Sequence, residues 1–419
     1  MEANSKLAIK IKGQITRYAN ELSADLSRPK RKFLLQMLYG IQASEDVKLS
    51  NVARVLNEDI DLIKTEDRLS RQISQEDLTE EINQKIILKG RYSINKYTVL
   101  ALDLSDVAKP HSRKMEYLAK VWDGSEGKVE KGYWLCSVTG AEIKGSHVVP
   151  LYNELFSQDA EGFESENAQI LKAVESVADV VDDNGIWAID RGGDREKLIL
   201  PLLQRGVQFV IRSVGDRHDE SKRSLEDIAN KMRCPFIREV VLEKAEGKRE
   251  KRILQMGVRR VKLPFTDKPL NMVVVKGWGE KPMMLLTNLR CKRPEEFVHF
   301  ILEVYLTRWK CEESFRFIKQ CYQLEDVRVR SYIGLRNTVA LVHAVFYFIS
   351  MILGQRLKLN ILLKRICEKA QRFFEIPVFK NYAIADGIFK VLFGMTRGPE
   401  HTPKPENYPQ LWLPLEMTP

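Results

Sequence analysis

A mixed α/β protein with helical ends is the fold class that the sequence predicts, on three observations. Apolar residues recur three or four apart through about the first 92 residues, the period of amphipathic helices. Short continuous apolar runs begin near residue 96, as in buried strands. From Pro294 the helical period returns and lasts to about residue 394. A chain of 419 residues suits two or three units. The expected division is a helical region 1–92, an α/β core 93–325 interrupted by a β-rich insertion at 215–290, and a helical region 326–419 with an extended tail.

In the first region, Leu49–Leu56 reads as a short amphipathic helix capped by Ser50. A second helix follows, with Lys64, Arg68 and Arg71 spaced to share one face. Helix, short link and basic helix is the outline of a helix-turn-helix DNA reader. A helical bundle with a solvated charged face has the same outline, and both readings stand. Arg28-Pro29-Lys30-Arg31-Lys32 is either a phosphate contact or a soluble helix start.

The core opens with Tyr97–Leu102, an apolar run ending at Asp103. Gly132–Val138 and His147–Tyr152 give two more strands, and the three read as antiparallel. Asn167–Val181 is helical, Gly185–Ile189 is a buried strand ending at Asp190, Glu196–Leu203 is a helix and Val207–Arg212 a strand. The insertion alternates apolar and basic residues, with turns at Gly247, Pro264 and Gly277. Lys248, Arg249, Lys251, Arg252, Arg259, Arg260 and Lys262 make its polar face dense enough in charge to track a DNA backbone, or to keep a sheet edge soluble. The prolines at 403, 405, 409 and 414 mark an extended tail.

The net charge of +10 favours a polyanionic partner. The six cysteines are scattered with no C-x-x-C pair, which points to thiols in a reducing compartment rather than a disulfide frame or zinc site. No secretion signal opens the chain, and the most apolar stretch, Val339–Leu353, is short for a membrane span and carries His343. A cytoplasmic protein without a membrane partner is expected.

Asp103 and Asp190 close buried strands, where a lone ionised carboxylate is costly, and strand ends open onto the crevice where α/β folds bind ligands. With a glutamate from a packed helix, two such aspartates can hold two divalent ions about 3.5–4 Å apart. Hard oxygen donors suit magnesium. Taken singly, either aspartate reads equally as a cap or turn former. Downstream, Tyr305, Arg308, Glu312 and Lys319 fall within roughly 60° of one another on a helix, presenting a phenol, a guanidinium, a carboxylate and an ammonium on one face. Glu312 would bind metal while Tyr305, Arg308 and Lys319 hold phosphates. A solvated salt-bridge face has the same spacing, because Arg308 and Glu312 are four apart.

At these residues the sequence resembles a large group of bacterial insertion-sequence DDE transposases. The group's signature Tyr-x2-Arg-x3-Glu-x6-Lys is matched without a gap by Tyr305, Arg308, Glu312 and Lys319, and the lead-in to Asp103 and the Ala-Ile-Asp190-Arg191 segment look like its two aspartate motifs. The resemblance implies a ribonuclease H-like core, with Asp103, Asp190 and Glu312 as catalytic metal ligands for magnesium, manganese substituting. It implies double-stranded DNA as partner, both transposon terminal inverted repeats and target, and a homodimer bridging two ends in a bacterial, nucleoid-associated setting. Lys64, Arg68 and Arg71 would read the ends; Arg191, Arg259 and Arg260 would contact DNA in the core. It further implies a cut-and-paste pathway: one strand is nicked, the 3′-hydroxyl forms a hairpin on the other, and the reopened end joins target DNA. The tryptophan that stacks on a flipped base in relatives is replaced here by Met283 or Met284, and Trp278 is a second possibility for that role. Two other readings remain, a silent transposase-derived DNA-binding protein and a structure-specific nuclease on the same core.

Overall fold

The computed structural model describes residues 2–124, 126–145, 147–243, 249–353, 360–367, 379–393 and 398–399. The proline-bearing tail, Gly247 and Lys248 lie outside the described residues.

Five helices open the chain: α1 (Glu2–Leu22), α2 (Arg28–Ser44), α3 (Leu49–Leu56), α4 (Leu62–Ile73) and α5 (Thr79–Gly90). The expected cap, Ser50, lies inside α3 and Lys48 takes the N-cap position. Asp46 does the capping work from upstream, accepting from the Lys48 amide at 2.8 Å and from Asn51 Nδ2 at 2.6 Å. A carboxylate at this end also suits the helix dipole.

The middle of the chain builds one sheet from β1 (Val99–Ala108), β2 (Ala119–Asp123), β3 (Lys128–Ala141), β4 (Val148–Phe156), β5 (Ile186–Ile189), β6 (Gln208–Arg212), β7 (Phe236–Glu243), β8 (Arg249–Val261), β9 (Leu270–Lys276) and β10 (Met283–Thr287). Helices α6 (Glu166–Ala178), α7 (Glu196–Arg205) and α8 (Leu225–Lys231) connect them. β1 is antiparallel to β3 and parallel to β5, which is parallel to β6. β4 flanks β3. The β-rich stretch extends the core sheet: β10 pairs antiparallel with β6, and β9, β8 and β7 follow. Two elements escaped the sequence reading, β2 and α8, both too short to show a period.

Alternation along the strands splits the core. Ile186, Ala188, Val210, Met283 and Leu285 face α9 (Pro294–Thr307), which lays Phe297, Val298, Ile301 and Leu302 on them. Trp187, Ile189, Phe209, Ile211, Met284 and Leu286 belong to the larger core. Each fully buried Val, Leu, Ile, Met or Phe among them contributes roughly 1.5–3 kcal/mol over exposure. The single helix expected to carry Tyr305 through Lys319 is two, because α9 stops at Thr307 and α10 (Trp309–Cys321) starts after Arg308. Three-residue hydrogen bonds at the join, Arg308 N to Tyr305 O at 3.1 Å and Cys311 N to Arg308 O at 2.8 Å, tighten the chain there.

The C-terminal helices α11 (Tyr332–Tyr347), α12 (Asn360–Cys367) and α13 (Asn381–Phe393) share the larger core with the N-terminal ones. Fully buried Asn337 of α11 donates to Ile73 O and Glu76 O and accepts from the Leu78 amide, all at 2.7 Å. Tyr18 of α1 donates to Ala344 O at 3.1 Å. Tyr332–Leu353 is long and apolar enough to cross a membrane, yet 94% of its most apolar window is buried inside the protein.

Candidate active site

The site begins with register. Leu102 opposite Ile189 is the last parallel pair between β1 and β5, so the next residues on the two strands are Asp103 and Asp190. β5 stops there, as expected. β1 does not: it runs on to Ala108 against β3, with Asp103 facing Ser137, which corrects the expectation that Asp103 ends its strand. The third carboxylate, Glu312, arrives on the first turn of α10.

Arg308, at the join of α9 and α10, draws the three together. Its Nη1 donates to Asp103 Oδ2 at 2.6 Å, its Nη2 to Glu312 Oε1 at 2.6 Å, and Asp190 Oδ2 lies 4.0 Å from Nη2. Tyr305 donates its hydroxyl to Asp190 Oδ1 at 2.8 Å, and Arg212 at the end of β6 donates to the Tyr305 oxygen at 3.4 Å. Arg308 is only 4% exposed.

The electrostatics follow from that arrangement. Burial pushes the Asp103 carboxyl up to about 6, with Glu312 and Asp190 adding to the rise and Arg308 opposing it. Burial also pushes Asp190 upward, but Arg308, the Arg191 backbone and Tyr305 together hold it below the ordinary carboxylate range. Burial works against the Arg308 cation, yet the three carboxylates more than restore it. Three carboxylates outnumber the Arg308 and Arg212 guanidiniums that act on them, which leaves surplus negative charge for a cation to offset.

Does the donor set fit a metal? Chemically it does, being made of hard carboxylate oxygens converging on one positive centre. Arg308 Nε is buried and makes no hydrogen bond, so the polar demand of the site is incompletely met. Among the described residues, however, no three acidic, imidazole or thiol groups stand close enough together to ligate one ion. Arg308 is what separates them.

The other predicted residues scatter. Lys319 lies two turns along α10, paired with Asp106 Oδ2 at 3.6 Å and Glu325 Oε1 at 3.0 Å, apart from the Arg308 cluster. Arg191 is exposed directly after Asp190. Met283 and Met284 are both 3% exposed inside β10 and have no face to offer a base, which removes them as stacking residues. Trp278 sits half-buried in the turn after β9, its carbonyl accepting from Arg252. Gly277 there has φ +90°, and an added Cβ would lie 2.5 Å from Ile253 O, so the turn is held close to β8. Arg259 and Arg260 are exposed. Arg260 lines a cleft with Lys268, Arg290 and Lys292 near the start of β6, at the end of the sheet away from the carboxylates.

On α4, Lys64 and Arg71 are exposed, but Arg68 turns inward to Glu58 at 2.5 Å and Gln36 at 2.7 Å, so the three share a helix face without all reaching solvent. In the basic run, Lys30 pairs with Glu76, and Arg31 binds the Ala24 and Leu26 carbonyls at 2.6 and 2.8 Å. Sequence reasoning missed Arg212 and Asp106. Arg212 could have been found by the same strand-end logic that picked out Asp190.

The strand order β4-β3-β1-β5-β6, with helices between the parallel strands, defines a ribonuclease H-like α/β protein. More closely, the transposase DDE domain model matches residues 94–348, more than half of the chain, and the chain belongs to that family. Family membership carries with it a metal-dependent mechanism. Among solved structures the chain is similar to the cryo-EM structure of a piggyBac transposase synaptic complex with hairpin DNA, at 11% identity and a TM-score of 0.43, covering 97% of this chain and 83% of that one. No curated protein matches the chain.

Proposed function

We propose that the protein is a bacterial insertion-sequence transposase that cuts double-stranded DNA at transposon ends and joins them to a target, with Asp103, Asp190 and Glu312 as its catalytic carboxylates. The observation that carries this reading is the convergence of those three side chains, from β1, β5 and α10, on the single Arg308 guanidinium. The three would hold magnesium, or manganese in its place, which supplies a Lewis acid for the phosphodiester and lowers the pKa of attacking water. The residues around them do the positioning. Tyr305 orients Asp190 by its hydrogen bond, and Arg212 steadies the phenol in turn. Arg308 offsets part of the carboxylate charge at rest and is placed to meet the charge of an incoming phosphate. No covalent nucleophile is needed, since positioning and electrostatics lower the barrier.

In this reading water attacks the phosphodiester at the transposon end and frees a 3′-hydroxyl. That hydroxyl attacks the opposite strand, giving a hairpin and releasing the flank; water reopens the hairpin and the 3′-hydroxyl joins target DNA. Lys319, Arg191, Arg259, Arg260, Lys64 and Arg71 are the proposed phosphate contacts, Trp278 the proposed stacking residue, and a homodimer the working form in a bacterial cytoplasm. The test uses linear duplex carrying the element's inverted ends, purified protein and magnesium. Wild type should release the flank, while Glu312→Gln and wild type in EDTA should not. Equal cutting in all three sinks the proposal.

A further inference from the structure

Beyond the carboxylates, β2 and β3 leave the sheet as a two-stranded ribbon. The β1 ladder on β3 ends at Ala108 opposite Gly132, with Lys109 N still donating to Lys131 O at 2.6 Å, β4 reaches only Trp134, and residues 128–130 pair with β2 alone. β1 runs in this direction from Asp103, so the ribbon projects from the carboxylate end of the sheet.

Its two faces differ sharply. Ala119, Val121 and Asp123 are buried. The opposite face carries Lys120 and Trp122 from β2 and Val129 and Lys131 from β3, with Trp122 55% and Val129 60% exposed. In register, Lys120 stands directly across from Lys131, and Trp122 across from Val129. Among the described residues neither lysine has an ion-pair partner, whereas Lys128 finds Glu130 at 3.1 Å and Glu126 at 3.9 Å. Like charges directly opposite one another weaken a ladder, and an exposed indole leaves apolar surface in water. This face is therefore arranged for something outside the chain.

What matches two ammonium groups next to an apolar pair is a duplex groove, with phosphates along its rim and sugar edges and thymine methyl groups inside it. The major groove admits a two-stranded ribbon. A protein partner fits less well, since charged residues are depleted where interfaces close over an apolar centre. We propose that the β2–β3 ribbon is a duplex-DNA contact, Lys120 and Lys131 holding phosphates and the Trp122–Val129 pair packing against the groove. The proposal rests on the reading that this protein acts on DNA. It also fixes a distance. From Ser137, opposite Asp103, to Val129 is eight residues along β3, or about 26 Å at ~3.3 Å per residue. The contact falls about 8 base pairs from the phosphate at the carboxylates.

The experiment measures binding without magnesium, in the Glu312→Gln background, so that cutting plays no part. Fluorescent duplexes extend from about 4 to about 14 base pairs beyond the cleavage point, on one side or the other. On long duplexes Lys120→Ala/Lys131→Ala should flatten the log–log salt slope by about two, and Trp122→Ala should weaken binding about tenfold while Trp122→Phe keeps most of it. Both effects should vanish on duplexes shorter than about 6 base pairs on the relevant side, and that side tells transposon DNA from flank or target. A melting curve checks folding, and the phenylalanine variant separates folding from contact. Equal affinity of variants and parent at every length overturns the proposal, as does an effect independent of length. A change of oligomeric state without change in DNA affinity also overturns it, by assigning the face to a second copy. If the parent binds and wild type cuts DNA but the ribbon variants match it throughout, only this inference fails; if no DNA is bound, the functional reading fails with it.

Discussion

Arg308 and Arg68 carry the same sequence promise, a basic residue on a helix face set for DNA, and both turn away from solvent into acidic surroundings. Around Arg68 no negative charge is left over: Glu58 is its carboxylate, with Gln36 and Gln72 as neutral partners and Lys32 3.7 Å from the same glutamate. Burial pushes Glu58 up, but Arg68 and Thr65 hold it below the usual range. Around Arg308 the charges do not balance, and Asp103 is pushed up to about 6 instead. A satisfied cluster stabilises a fold; one with surplus negative charge is ready to accept a further cation. Charge surroundings separate two inward-turned arginines that spacing alone treats alike.

The largest effect expected from this contrast is on cutting. Glu312→Gln should lower DNA cleavage at least about a thousandfold while leaving end binding in place, as loss of one electrostatic stabiliser does in other enzymes. Glu58→Gln, the matching change in the balanced cluster, should leave cleavage by the folded protein unchanged. A gel assay on one labelled duplex decides between them, and similar losses in both would break the contrast. Next comes Arg308→Ala. Removing the single cation from among three carboxylates should cost about 3 kcal/mol in EDTA. Millimolar magnesium should recover much of that, giving a larger rise in melting temperature than in wild type. A variant that melts like wild type in EDTA would mean the three carboxylates do not depend on Arg308.

The same contrast explains what could be read before the structure. Strand and helix order in the core was legible because apolar runs such as Ile186–Ile189 are buried on both faces, and the acidic residues beside them stand out. Glu312 was legible from its spacing to Tyr305 and Arg308. The break at Arg308 was not, because no glycine or proline marks it and the tightened turn is paired with tertiary ion pairs. The union of the insertion with the core was equally hidden, since it rests on β6 meeting β10 more than 70 residues later. Arg68 was misplaced because period tells which residues share a face but not whether each side chain on it reaches water, and its partner Glu58 lies in the preceding loop.

A smaller effect concerns pH. Asp103 rises from an ordinary 3.8 to about 6 in the folded, metal-free protein. A raised folded-state pKa favours the native state below the unfolded value, and that contribution is lost as pH climbs through 6. Metal-free wild type should therefore gain stability on going from pH 7 to pH 4.5 relative to Asp103→Asn. With 22% of the Asp103 side chain still in solvent, the gain is about 2 kcal/mol. Urea melts of the two proteins in EDTA measure it, and parallel pH profiles would remove Asp103 as the strained member of the cluster.

The smallest expected effect tests the balanced side. Arg68→Ala leaves Glu58 with Gln36, Thr65 and the more distant Lys32, and Arg68 keeps 25% of its side chain in water. The loss should be about 1 kcal/mol. Magnesium should not restore it, because one part-buried glutamate with neutral donors is no site for a divalent ion. End binding should change no more than stability requires, since the guanidinium is committed to Glu58 and Gln36. A salt slope flattened by one phosphate contact would show instead that Arg68 leaves Glu58 for DNA, and the two arginines would then differ only in what they release when they move.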